Sequence, residues 1–346
     1  MKLTKRQKDI LTAIIEEHVK AAEAVGSETI GKVLPYKVSP ATVRNEMAIL
    51  EELGLIMKEY SSSGRIPSDK GYREYIESLK LMPISNSFPL IDQIFKRNFV
   101  SREKSLQEAM MLISELTHYA SLIFKQNKQD IKVKKLAAVE LNSRLAVLIM
   151  VTEQGYVENR KVILPETISF SELSDAVLFL DETLSGTSLK NFKEAVEEKL
   201  HTLKKPSIFE ELVNSLLIAF AEMAKDEFFV FGSSHFLVHK EFSDHEKAKK
   251  IVEALSHDEV IKICLKDTND LKVKIGEDNS LAEFKDCSIV SIPYYDDIGA
   301  KGVIAVVGPK RMDYKIIIAM LIHIANNLKK EDEKEWKIPK MLENKM

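Results

Sequence analysis

Cysteine is almost missing from this sequence: Cys264 and Cys287 are the only two among 346 residues. Two thiols have neither the number nor the spacing for a disulfide framework or a zinc site, and they suit a reducing compartment. Long apolar runs are missing as well. None approaches the roughly 18 residues of a membrane-crossing helix, and the opening MKLTKRQKD lacks the apolar centre of a secretion signal. These absences predict a cytoplasmic protein with no membrane partner. There is also no excess of one charge. Fifty basic side chains face 53 acidic ones, for a net −3, and the first 80 residues carry 13 basic and 12 acidic groups. Any nucleic-acid footprint must then be local, because the chain as a whole has no basic field.

The machinery of catalysis is thin too. No phosphate-binding glycine loop of either common type occurs. Gly232-Ser233-Ser234-His235 sets hydroxyls beside an imidazole, yet sequence neighbours rarely form a nucleophile–base pair, and no elbow motif surrounds them. His235 and His239 stand four apart in a segment that reads as strand, so helical metal spacing does not apply. Asp267, Asp296 and Asp297 are of a type that binds cations, but they read better as turn residues at strand ends. The expectation is a protein that is not an enzyme and needs neither metal nor cofactor.

What is present is concentrated between Gly26 and Tyr75, which reads as helix, turn, helix and hairpin, the outline of a winged helix-turn-helix. Ser39-Pro40 is a strong helix start, the serine capping free amides and the proline giving up a donor that has no partner there. Val43, Met47 and Leu50 then share one face, and Gly54 ends the helix. The opposite face carries Ala41, Asn45 and Ala48, flanked by Thr42 and Arg44. Short side chains let a helix approach base edges; Asn can pair twice with adenine, and Arg can reach guanine or a phosphate. By itself this face is equally well an ordinary amphipathic surface. A hairpin follows, with Met57–Tyr60 and Arg65–Pro67 as its strands and Ser61–Gly64 as its turn. Small residues at a tip, Ser63 among them, with Lys58, Arg65, Lys70 and Arg73 around it, suit phosphate contacts. The candidate DNA-binding set is Ser39, Pro40, Ala41, Thr42, Arg44, Asn45, Lys58, Ser63, Arg65, Lys70 and Arg73.

The runs Val25-Gly26-Ser27, Ser39 to Met47, Leu50-Glu51 and Ser63 to Arg73 together resemble the HrcA family of heat-inducible transcription repressors. So does Gly308-Pro309-Lys310-Arg311-Met312-Asp313-Tyr314 near the other end. Glu59-Tyr60-Ser61 departs from the Pro-His-Thr usual in that family. The resemblance implies an α+β chain with an N-terminal winged helix-turn-helix, a GAF-like α/β domain and an inserted dimerising domain. It further implies a homodimer on an inverted-repeat operator in double-stranded DNA before chaperone operons, with the GroE chaperonin as a partner and no small cofactor. A GAF-like domain often binds small molecules, so a ligand-responsive transcription regulator is the alternative.

Along the chain, Thr4 and Gln7 box the start of a first helix reaching about Ala21. The winged-helix domain is expected over 1–82, and a linker over 83–100. The GAF-like domain is expected over 101–167 and 271–330, the insert over 168–270 and a charged tail over 331–346. Within these, a long helix is expected from Ser101 to about Lys125. Leu145–Thr152 (LAVLIMVT) reads as a strand covered on both faces. Val260–Leu265 reads as a strand, and capping boxes are expected at Ser169/Glu172, Ser207/Glu210 and Ser243/Glu246. The Gly308–Tyr314 motif reads as a turn leading into the last helix, with Lys310 and Arg311 at a domain interface or a partner contact.

Overall fold

The computed structural model describes residues 3–59, 64–79, 87–97, 101–125, 132–153, 155–200, 207–223, 226–265, 268–295 and 301–329. They fall into two compact units, one drawn from 1–124, 228–297 and 301–346, the other from 125–227.

The first unit opens with α1 (Lys5–Ala21), α2 (Ser27–Val33) and α3 (Pro40–Glu52). Thr4 and Gln7 cap α1 reciprocally, as expected. The Ser39 hydroxyl accepts from the Thr42 amide to start α3. Gly54, at φ +69°, ends α3: its amide donates to the Glu51 carbonyl, and the Leu55 amide donates to that of Leu50. This paired closure needs a left-handed residue, which glycine supplies without strain. Val43, Met47 and Leu50 point into a core with Ile10, Ile14 and Ile30, each side chain contributing about 1.5–3 kcal/mol of burial. The wing strands β1 (Ile56–Lys58) and β2 (Arg65–Pro67) pair antiparallel, and α4 (Asp69–Leu79) follows with Ser68 at its start. The Tyr60–Ser63 part of the hairpin lies outside the described residues.

Next come α5 (Pro89–Arg97), α6 (Arg102–Thr117) and β3 (Ala120–Lys125). Two expectations are corrected here. Most of the described part of the expected 83–100 linker is α5, which buries Ile91; residues 83–86 and 98–100 are outside the described set. The expected helix to Lys125 stops at Thr117, because His118 turns left-handed (φ 56°) and its amide closes on the Ser114 carbonyl. ASLIFK then runs as a strand buried on both sides, with Leu122 in one apolar cluster and Ile123 in the other.

The second unit contains β4 (Val133–Asn142), β5 (Leu145–Thr152), β6 (Val157–Ile163), α7 (Phe170–Leu184), α8 (Phe192–Leu200) and α9 (Ser207–Met223). Its antiparallel sheet, in the order β4-β5-β6, has one face covered by helices through a core that includes Leu148, Leu180 and Phe220. Contrary to expectation, LAVLIMVT is not buried on both faces. Ala146, Leu148, Met150 and Thr152 are buried, while the alternate Leu145, Val147, Ile149 and Val151 are only half covered. The box of Ser169 and Glu172 forms on α7; the Ser207 side chain lies outside the described set.

The chain returns to the first unit with β7 (Glu227–Phe231), α10 (His245–Leu255), α11 (Asp258–Leu265), β8 (Lys272–Ile275), β9 (Cys287–Tyr295), β10 (Lys301–Pro309) and α12 (Tyr314–Leu328). The sheet order is β7-β3-β10-β9-β8. Val303, Ala305 and Val307 face the α10–α11 side, while Ile304 and Val306 share the other side with α6, α12 and the winged-helix core. The expected strand 260–265 is α11 instead. Asp258 and Glu259 favour a helix N-terminus, and Ile261, Cys264 and Leu265 are buried at helical spacing. Asp244, not Ser243, caps α10, accepting from the Glu246 amide. This division differs from the expected one: the strands of 133–163 pack with the helices of 170–223, and the helices of 245–265 belong with the five-stranded sheet.

Candidate nucleic-acid interface

Burial of Val43, Met47 and Leu50 turns the other side of α3 outward, so Ala41, Arg44, Asn45 and Ala48 are exposed. Ser39 and Pro40 are exposed at the helix start, and Thr42 is half-buried with its hydroxyl 2.9 Å from that of Ser39. Arg44 and Asn45 have no hydrogen-bond or ion-pair partner among the described residues, so both keep their bonding capacity for a ligand. Free amides at the first turn add a weak attraction for phosphate. Glu46, by contrast, is held from behind: Gln7 donates to it at 3.1 Å and Arg6 lies 3.6 Å away, tying α3 to α1.

The remaining cations of the candidate set are engaged inside the molecule. Arg65 is 21% exposed; its Nε donates to Glu51 Oε2 at 2.9 Å, and a terminal nitrogen lies 2.8 Å from the same oxygen as an ion pair. Lys58 is half exposed, 3.9 Å from the same carboxylate. Lys70 donates to the Leu53 carbonyl at 2.8 Å. Arg73 forks onto Asp278 at 2.8 and 2.9 Å, and that hydrogen bonding raises its pKa further. The structure therefore brings Ser39, Pro40, Ala41, Thr42, Arg44 and Asn45 together on one open surface, with Lys58 and Arg65 tied to Glu51 at the far end of the same helix, while Arg73 faces the body of the protein. Ser63 lies outside the described residues. Glu51 was not among the candidates, since an acidic residue offers phosphate nothing; its position at the end of α3, just ahead of the wing strand that starts at Ile56, was the available signal.

The Gly308–Tyr314 motif meets the winged helix at α4 and α1. Lys310 pairs with Asp69 at 3.1 Å, and Arg311 binds Glu241 and donates to the Val19 carbonyl at 3.4 Å. Asp313 caps α12 through the Ile316 amide. Tyr314 meets the Ser288 hydroxyl at 2.6 Å and sets its ring 5.6 Å from that of Tyr72. Burial holds both phenols well above their ordinary pKa, and the Tyr72 hydroxyl has no partner among the described residues. The motif is thus a turn and a domain contact, as its sequence suggested.

Among the described residues no group of three or more His, Cys, Asp or Glu is arranged to hold a metal, and no helix is long and apolar enough to cross a membrane. Residues 2–80 match the family described as "Winged helix-turn-helix transcription repressor, HrcA DNA-binding", and residues 103–318 match "HrcA protein C terminal domain". The chain is 36% identical over 336 residues to a Halalkalibacterium halodurans protein named "Heat-inducible transcription repressor HrcA", covering 95% of this chain and 97% of that one. A protein of the same name from Acholeplasma laidlawii is 32% identical over 335 residues, with 95% and 97% covered. A crystal structure titled as that of a hypothetical protein shares the fold, with a TM-score of 0.70 at 22% identity over 94% of this chain and 98% of that one.

Proposed function

Because the chain belongs to the HrcA family of heat-inducible transcription repressors, we propose that it acts as a cytoplasmic homodimer on an inverted-repeat operator before chaperone operons, brought to its active form by the GroE chaperonin. The observation that carries this reading is the outward face of α3, where Arg44 and Asn45 stand exposed beside small residues. One such helix per subunit would enter the major groove of each half-site, Asn45 pairing with adenine and Arg44 with guanine or a phosphate. With so even a charge balance, a single copy has little electrostatic grip, and two linked copies multiply a modest affinity.

Support for pairing comes from the three-stranded sheet. Its uncovered face presents Val139 (45% exposed) opposite Val147, and Val157 (60% exposed) opposite Val151. Apolar faces of this kind are the usual material of subunit contacts. Heat enters through the chaperonin: unfolded clients occupy it, less repressor reaches its active form, and the operons are released.

Fluorescence anisotropy on the inverted repeat and a scrambled duplex, with and without chaperonin, tests the reading. Preference for the repeat by several kcal/mol, improved by chaperonin, is expected. Equal weak binding under both conditions would overturn it, and a small molecule altering affinity where chaperonin does not would favour the ligand-responsive alternative. Val139→Asp should halve the mass measured by sedimentation; an unchanged dimer would remove this face from the interface.

A further inference from the structure

We propose that the wing is fixed in its DNA-reading position before DNA arrives, and that Glu51 and Gly64, neither of them a DNA contact, are the residues that position it. The proposal rests on the operator-binding reading above and extends it to how the reading surface is built. A hairpin of two three-residue strands has little stability of its own, so its orientation must come from ties to its surroundings.

Two independent ties are present. The first runs to the end of α3. The Glu51 carboxylate accepts a hydrogen bond from Arg65 Nε on β2, lies 2.8 Å from a terminal nitrogen of the same guanidinium and sits 3.9 Å from Lys58 on β1, so one acidic group on the recognition helix holds both strands. Its location is unfavourable on two other counts: a carboxylate at a helix C-terminus opposes the dipole, and one beside DNA repels phosphate. What offsets both is the fork with Arg65, whose side chain is only 21% exposed.

The second tie runs to the connection between α1 and α2. Val25 and Arg65 exchange amide–carbonyl hydrogen bonds at 2.9 Å in each direction, an antiparallel bridge. Gly64 lies so close that a Cβ there would stand 2.5 Å from the Val25 carbonyl carbon and oxygen. That contact is backbone against backbone and cannot be relieved by a side-chain rotation, so any larger residue must push the wing away.

Arg65 is then a positioning residue acting through Glu51. Four variants, Glu51→Gln, Arg65→Gln, Gly64→Ala and the double Glu51→Gln/Arg65→Gln, test the proposal by anisotropy on the inverted repeat and a scrambled duplex. Charge alone predicts that Glu51→Gln, which removes a negative group near DNA, binds both duplexes more tightly. The proposal predicts the opposite on the repeat: about a tenfold loss, with scrambled binding unchanged or slightly tighter. Gly64→Ala, which alters no charge, should show the same selective loss. The double variant should lose no more than the worse of Glu51→Gln and Arg65→Gln, because both break one tie. Repeat binding that is unchanged or stronger in Glu51→Gln overturns the proposal, and so does full affinity in a folded Gly64→Ala. Glu51→Gln is near-isosteric and at the surface, so it decides the question even where Gly64→Ala fails to fold. Wild-type preference for the repeat is measured first: its absence would overturn operator reading itself, whereas variants matching a selective wild type overturn only the positioning.

Discussion

The winged-helix domain has two polar edges that look alike in sequence and differ completely in the structure. On the outward face of α3, Arg44 and Asn45 have no partner among the described residues. On the α4 edge, Arg73 is forked onto Asp278, Lys70 caps the end of α3 through the Leu53 carbonyl, and Asp69 receives Lys310. The first edge keeps its hydrogen-bonding capacity for an incoming ligand; the second has spent most of it on holding the domain to the five-stranded sheet. A basic residue near a DNA-reading helix is therefore not by that fact a DNA contact.

Substitutions should separate the two edges, and Asn45→Ala should have the largest effect: about 1–3 kcal/mol lost on the inverted repeat with no change on scrambled DNA, read by anisotropy. Arg44→Ala comes next. If it meets a phosphate it weakens both duplexes and flattens the salt slope by about one; if it meets guanine the loss is confined to the repeat. Arg73→Ala should leave the salt slope where it was and lower stability by about 0.2–1 kcal/mol, as for an exposed pair, measured by urea denaturation. A slope as flat as that of Arg44→Ala would erase the distinction between the edges. Tyr72→Phe is the gentlest probe. It removes a buried hydroxyl that has no partner among the described residues, so the melting temperature should hold or rise; a fall would reveal a bond to that hydroxyl.

Much of this was legible in the sequence. Ser39-Pro40, the spacing of Val43, Met47 and Leu50, and Gly54 located the recognition helix, since caps and periodicity act within a few residues. The partner of Arg73 was not legible, because Asp278 is 205 positions away and no local pattern announces it. Apolar content also misled. LAVLIMVT and VIAVV are equally apolar, yet the second is buried on both faces and the first on one, since periodicity records what a strand can bury and not whether its own chain supplies the cover. ASLIFK and VIKICL were exchanged between strand and helix for a related reason: short apolar runs carry too few residues to set the period.

Operator recognition as proposed depends above all on the outward face of α3 reading bases. The direct test is the ratio of affinities for the inverted repeat and its scrambled version, at several salt concentrations, for the wild type and Asn45→Ala. Asn45→Ala is expected to collapse this ratio by about 1–3 kcal/mol while the salt slope stays the same. An unchanged ratio, with both duplexes weakened alike, would contradict it and move base reading off this helix face.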